Sequence, residues 1–175
     1  RKAKILWLIE CGADVDQRDE ARRYFPALTH AIQMNDAELC QFLLKRCKAD
    51  PNIGSRNPRD YGKLLQKNEG NMPLMVAAWE GNLQIVRLLC EDKRTSVNQQ
   101  DANGFTALMK ACANGYFKNS GCQKDIESLL INYGADTRIV DRDGKTAEDW
   151  KTEYRKHGPI RERFAGAKDK RTKRK

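Results

Sequence analysis

The stretch MPLMVAAWEG, Met72 to Gly81, returns 34 residues later as TALMKACANG, Thr106 to Gly115, and is foreshadowed by PALTHAIQMN, Pro26 to Asn35. Leu28, Leu74 and Leu108 share one slot, and Ala31, Ala77 and Ala111 share another. A motif recurring in register with an apolar run behind each copy marks a stack of like units, not one globular core. Such a chain works by presenting surface.

Each copy can be read from local chemistry. Gly104 in Asp101-Ala102-Asn103-Gly104 suits the positive φ of a tight turn, and Thr106 suits an N-cap. Pro73 follows the cap position, where its missing N–H leaves no bond unmade. The first helix should end at Gly81 or Gly115, with Asn35 taking the left-handed position in the earliest copy. Ala77 and Ala78, or Ala111 and Cys112, keep this helix thin, so neighbouring units can approach closely. A second helix carries larger groups at helical spacing: Leu39, Leu43 and Leu44; Ile85, Val86, Leu88 and Leu89; Ile126, Leu129 and Leu130. Gly12-Ala13-Asp14 and Gly134-Ala135-Asp136 then close helices, whereas Lys48-Ala49-Asp50 lacks the glycine and should hold a more strained turn.

These residues resemble the ankyrin repeat, whose pattern runs Asp-x-x-Gly-x-Thr-Pro-Leu-His-x-Ala-Ala, then an aliphatic helix, then Gly-Ala-Asp-Val-Asn. The copy from Asp101 to Asp136 follows it most fully, and Val97-Asn98-Gln99-Gln100-Asp101 matches the linking hairpin. The resemblance implies an all-α repeat solenoid, a stack of helix-turn-helix units joined by β-hairpin loops. It divides residues 3–150 into a partial first repeat at 3–16, a second at 19–52, a third at 67–98 and a fourth at 101–138, with a capping repeat at 141–157.

Against a period of about 33 residues, the matching positions Asp14, Asp50, Ser96 and Asp136 are spaced 36, 46 and 40 apart. The extra length falls around Glu20 to Phe25 and Lys45 to Lys48, in an inter-repeat insertion at 53–66 reaching towards Asn68, and at Tyr116 to Lys124. At the front, Lys4 to Glu10 reads as a second helix without its first, which predicts a fragment of a longer protein with Trp7, Leu8 and Ile9 uncovered. At the back, Glu148 takes the leucine slot and Lys151 an alanine slot, giving the polar outer face of a terminal cap.

Composition narrows the function. No run approaches the ~18 apolar residues of a membrane span. The six cysteines, Cys11, Cys40, Cys47, Cys90, Cys112 and Cys122, form no Cys-x-x-Cys pair and fall mostly in helices, so reduced thiols and an intracellular home, cytoplasmic or nuclear, are expected. Neither His30 nor His157 has metal-ligand companions, no base marks Cys112 as a nucleophile, and no glycine loop cradles phosphate. The expectation is a non-enzymatic chain with no cofactor, no metal and no small-molecule substrate.

The net charge of +9 is unevenly held: residues 151–175 carry 11 Lys and Arg against three acidic groups, leaving the repeats nearly neutral. The tail at 158–175, with Lys168, Lys170, Arg171, Lys173, Arg174 and Lys175, has three readings: a solvated terminus, a nuclear-import or nucleic-acid contact, or a dock for an acidic protein surface.

The resemblance also implies where a partner binds, namely at hairpin tips and the concave edge of the first helices. Here those positions are Gln33 and Met34; Asn71, Trp79 and Glu80; Asn103, Phe105 and Asn114; and Arg142 and Lys145. Trp79 leads, because an aromatic at a variable position suits a binding hot spot. The competing reading packs it beneath the insertion. The leading expectation is a protein-interaction module or scaffold that serves as a subunit of a larger assembly. The alternative is a nucleic-acid or ribonucleoprotein component gripping phosphates through the tail.

Overall fold

The computed structural model describes residues 2–17, 25–54, 70–113 and 120–157. Among the described residues eight helices follow one another: α1 (Lys2–Glu10), α2 (Ala27–Gln33), α3 (Ala37–Lys45), α4 (Pro73–Glu80), α5 (Leu83–Glu91), α6 (Ala107–Ala113), α7 (Ser120–Asn132) and α8 (Ala147–His157). Helices α2, α4, α6 and α8 pack in sequence as one layer; α3, α5 and α7 form a second layer, each against its own partner in the first.

The sequence signals act as expected. Pro73 opens α4, Gly81 closes it at φ +73°, and the Thr106 hydroxyl accepts from the Met109 amide at 3.3 Å. Asp36 and Asn82 cap α3 and α5 through side-chain oxygens. Asn35 and Lys48 are the non-glycine residues at positive φ among the described residues. Lys48 therefore carries the strain predicted where the glycine is missing.

The thin first layer is nearly all core: Leu74, Met75, Ala77 and Ala78 of α4 and Leu108, Met109, Ala111 and Cys112 of α6 are buried. The aliphatic faces of α3, α5 and α7 close over them through Leu39, Leu43, Ile85, Val86, Leu89, Ile126 and Leu130. Leu88 is half-buried. Burying whole Leu or Ile side chains, each worth about 1.5–3 kcal/mol, requires a neighbouring unit. At the front, Trp7 and Leu8 are exposed, as expected, whereas Ile9 packs on the core beside Ile5 and Leu6.

Two expectations need correction. Among the described residues no strand element joins the units. The tips are closed turns: the Asp101 amide donates to the Phe105 carbonyl, and the Asp101 carboxylate accepts from the Asn103 and Phe105 amides. Asp141 repeats this with Asp143 and Lys145. The carboxylate takes amides that a longer ladder would have used. The cap's alanine-slot lysine also does not face outward. Lys151 reaches α7, where its Nζ meets Glu127 Oε2 at 2.6 Å, while Glu148 is exposed.

Candidate protein-binding edge

Units are stitched by one recurring side chain. Asn98 Oδ1 accepts from the Asp136 amide at 2.8 Å, and Asn98 Nδ2 donates to the Gly134 carbonyl at 2.9 Å. One unit earlier, Asn52 Oδ1 accepts from the Ser96 amide at 2.8 Å and Nδ2 donates to the Arg94 carbonyl at 2.7 Å. At the first joint the residue is Asp16, which accepts from the Asp50 amide at 3.0 Å but has no amide to donate. The equivalent Lys48 carbonyl is served instead by Arg94 Nη1 at 3.2 Å. Burial and the charges of Asp50 and Asp14 push the Asp16 carboxyl up, partly opposed by the Asp50 amide bond and Arg94.

The proposed contact residues fall into two groups. Asn35 Oδ1 accepts from Asn82 Nδ2, so the turn ending α2 touches the turn ending α4. Gln33 and Met34 immediately precede Asn35, and Trp79 and Glu80 lie just before Asn82, so the four flank that contact. Gln33 and Glu80 are exposed, Met34 is 48% exposed and Trp79 is half-buried against the core. The second group lies at the opposite, N-terminal ends of the first-layer helices, roughly 12 Å away along an eight-residue helix. Asn71 sits half-buried at the start of α4. Asn103 and Arg142 are exposed at adjacent tips, where the Arg142 amide donates to the Asn103 carbonyl at 3.1 Å. Asn114 and the tail residues Lys168 to Lys175 lie outside the described residues, as does most of the insertion beneath which Trp79 was alternatively placed.

Phe105 and Lys145 belong to a column that holds the cap. The Phe105 and Trp150 ring centroids are 5.1 Å apart; Lys110 Nζ lies 4.3 Å from the Phe105 centroid and Lys145 Nζ 4.5 Å from that of Trp150. Two packed rings are flanked by a lysine at each end. The pattern has a sequence origin: Phe105 and Lys145 share the slot before Thr106 and Thr146, and Lys110 and Trp150 share the slot four residues after. The fourth unit carries aromatic then lysine; the cap carries lysine then tryptophan. Trp150, whose Nε1 donates to Asp141 Oδ2 at 2.7 Å in a buried bond, was missed by sequence reasoning, although this register could have found it. Gly104 permits the close approach. It sits at φ +82°, and a Cβ there would lie 2.9 Å from the Arg142 nitrogen.

Two buried cysteines are held as thiols. Burial, reinforced by Glu127, pushes the Cys112 thiol up to about 12, and burial with the Asp36 charge does the same for Cys40, so neither supplies thiolate at neutral pH. No group of three His, Cys, Asp or Glu among the described residues could hold a metal ion.

A solenoid of thin helix pairs stitched by side chains through their turns is the class this architecture defines. The chain belongs to the ankyrin-repeat family: the family of ankyrin repeats (3 copies) matches residues 2–101 and 59–141. Among relatives, it is 35% identical over 132 residues to ankyrin repeat and SAM domain-containing protein 6 of Rattus norvegicus, covering 75% of this chain and 12% of that protein. It is 39% identical over 79 residues to the probable 26S proteasome regulatory subunit p28 of Saccharomyces cerevisiae, covering 45% and 32%. The putative ankyrin repeat protein YahD of Escherichia coli is 30% identical over 146 residues, covering 82% and 63%. The chain thus spans about an eighth of the first of these. Ankyrin repeats are protein-interaction modules, and no helix among the described residues is long and apolar enough to cross a membrane.

Proposed function

We propose that this chain is a non-enzymatic scaffold that captures a protein partner on the edge formed by the ends of α2 and α4, with Gln33, Met34, Trp79 and Glu80 as contacts. The observation supporting this is the Asn35–Asn82 contact. It merges two variable helix ends, one with a protruding methionine and one with a tryptophan, into a single strip of mixed apolar and polar character. Asn71, Asn103 and Arg142 offer a separate, weaker contact at the turn tips. Membership of a larger assembly is in keeping with this role.

The test compares proteins retained by wild type, by a Met34→Ala/Trp79→Ala double variant and by a chain lacking residues 168–175. The reading requires partners that survive loss of the tail and vanish with the double variant while its circular dichroism is unchanged. Retention only through the tail, with binding that falls steeply as salt rises, would support the nucleic-acid alternative. That alternative rests on the charge of residues 151–175.

A further inference from the structure

We infer that Ser96 is a phosphorylation site whose modification reinforces the stack. Four turns share one geometry. Asp14, Asp50 and Asp136 occupy the same slot, and each carboxylate accepts from the amide two residues on, at 2.9 Å: Asp16, Asn52 and Arg138 respectively. Ser96 fills that slot in the remaining turn. The backbone bend is the same, since the Gln99 amide donates to the Ser96 carbonyl at 3.3 Å as Gln17 does to Asp14 at 3.2 Å. One turn of four therefore lacks its anion.

The hydroxyl is presented for reaction. Ser96 is exposed in a non-helical segment, with exposed Lys93 three positions upstream as the basic lead-in that basic-directed serine kinases read, while Arg94, two upstream, is held by Asp92 and the Leu44 and Lys48 carbonyls. The neighbouring Thr95 hydroxyl is buried, which singles out Ser96. In the reaction, Ser96 Oγ bonds to the γ-phosphorus of a nucleoside triphosphate as the bond from that phosphorus to the bridging oxygen breaks. The hydroxyl proton passes to the kinase's base and nucleoside diphosphate leaves.

The product fits the joint. The Ser96 amide already donates to Asn52 Oδ1, and the sister amides of Asp50 and Asp136 make that same bond beside a carboxylate. Phosphate oxygens placed there can accept from the Asn98 amide and attract Lys93. The acidic row Asp14, Asp50, Asp136 becomes continuous.

The experiment incubates the folded chain with a basic-directed serine kinase and magnesium nucleoside triphosphate, maps phosphate by mass spectrometry and measures thermal unfolding. Expected are one phosphate at Ser96, none there in Ser96→Ala, and a midpoint raised by about 2–4 °C in the phosphorylated chain and in Ser96→Asp. Failure of the folded chain to take phosphate at Ser96 would overturn the site. An unchanged or lowered midpoint would overturn its reinforcing role.

Discussion

The two ends of the stack are joined by different chemistry. At the back, Asn98 makes two bonds across the joint to α7's exit, and the Lys110–Phe105–Trp150–Lys145 column clamps the cap. At the front, Asp16 makes one cross-unit bond, carries a charge that burial disfavours, and leaves the Lys48 carbonyl to a distant arginine. One atom, the nitrogen that asparagine has and aspartate lacks, separates the joints. In a linear repeat array, stability is a sum of unit and interface contributions, so such a local difference sets which end opens first.

The comparison can be broken at its strong end. Trp150→Ala removes the ring stacked on Phe105 and the buried bond to Asp141, and should cost about 3–5 kcal/mol, read by chemical denaturation. Loss should fall on α8 and α6, with the α2–α4 edge preserved. Asn98→Ala is expected to cost about 1–3 kcal/mol, because the Gly134 carbonyl and Asp136 amide lose their partners together. A cost near zero would show that water replaces the stitch.

The weak end can be sharpened. Asp16→Asn supplies the missing donor and removes the disfavoured charge, so a gain of about 0.5–1.5 kcal/mol at neutral pH is expected. The sign with pH follows from the raised carboxyl. A group whose folded pKa lies above its unfolded value contributes stability below the unfolded value, and that contribution is lost as pH rises through the folded one. The advantage of Asp16→Asn should therefore be greatest at neutral pH and shrink as the buffer is taken down through the carboxylate range. An advantage that grows on acidification would refute this account of the joint.

Much of the stack was legible because repeats state their rules several times. Leu28, Leu74 and Leu108 fixed the helix register, and Pro73, Thr106 and Gly81 fixed helix ends by local chemistry. The strained turn at Lys48 could be read from a single missing glycine. The proposed binding edge was less legible. Trp79 and Phe105 look alike in the sequence as aromatics at variable positions, yet they stand at opposite ends of the helix layer, and Phe105 is engaged by Trp150. That engagement depends on a residue 45 positions away. The Asn35–Asn82 contact, on which the proposed edge rests, likewise joins residues from two units, and no property of either residue alone announces it.

Three equivalent amides, those of Asp50, Ser96 and Asp136, each donate to the joint side chain of the preceding unit, Asp16, Asn52 and Asn98. Their hydrogen exchange, followed by NMR in the same sample, measures the joints directly. A graded stack predicts that the Asp50 amide exchanges about five- to tenfold faster than that of Asp136, with the gap closing in Asp16→Asn. Equal protection of Asp50 and Asp136 in the wild-type chain would contradict it.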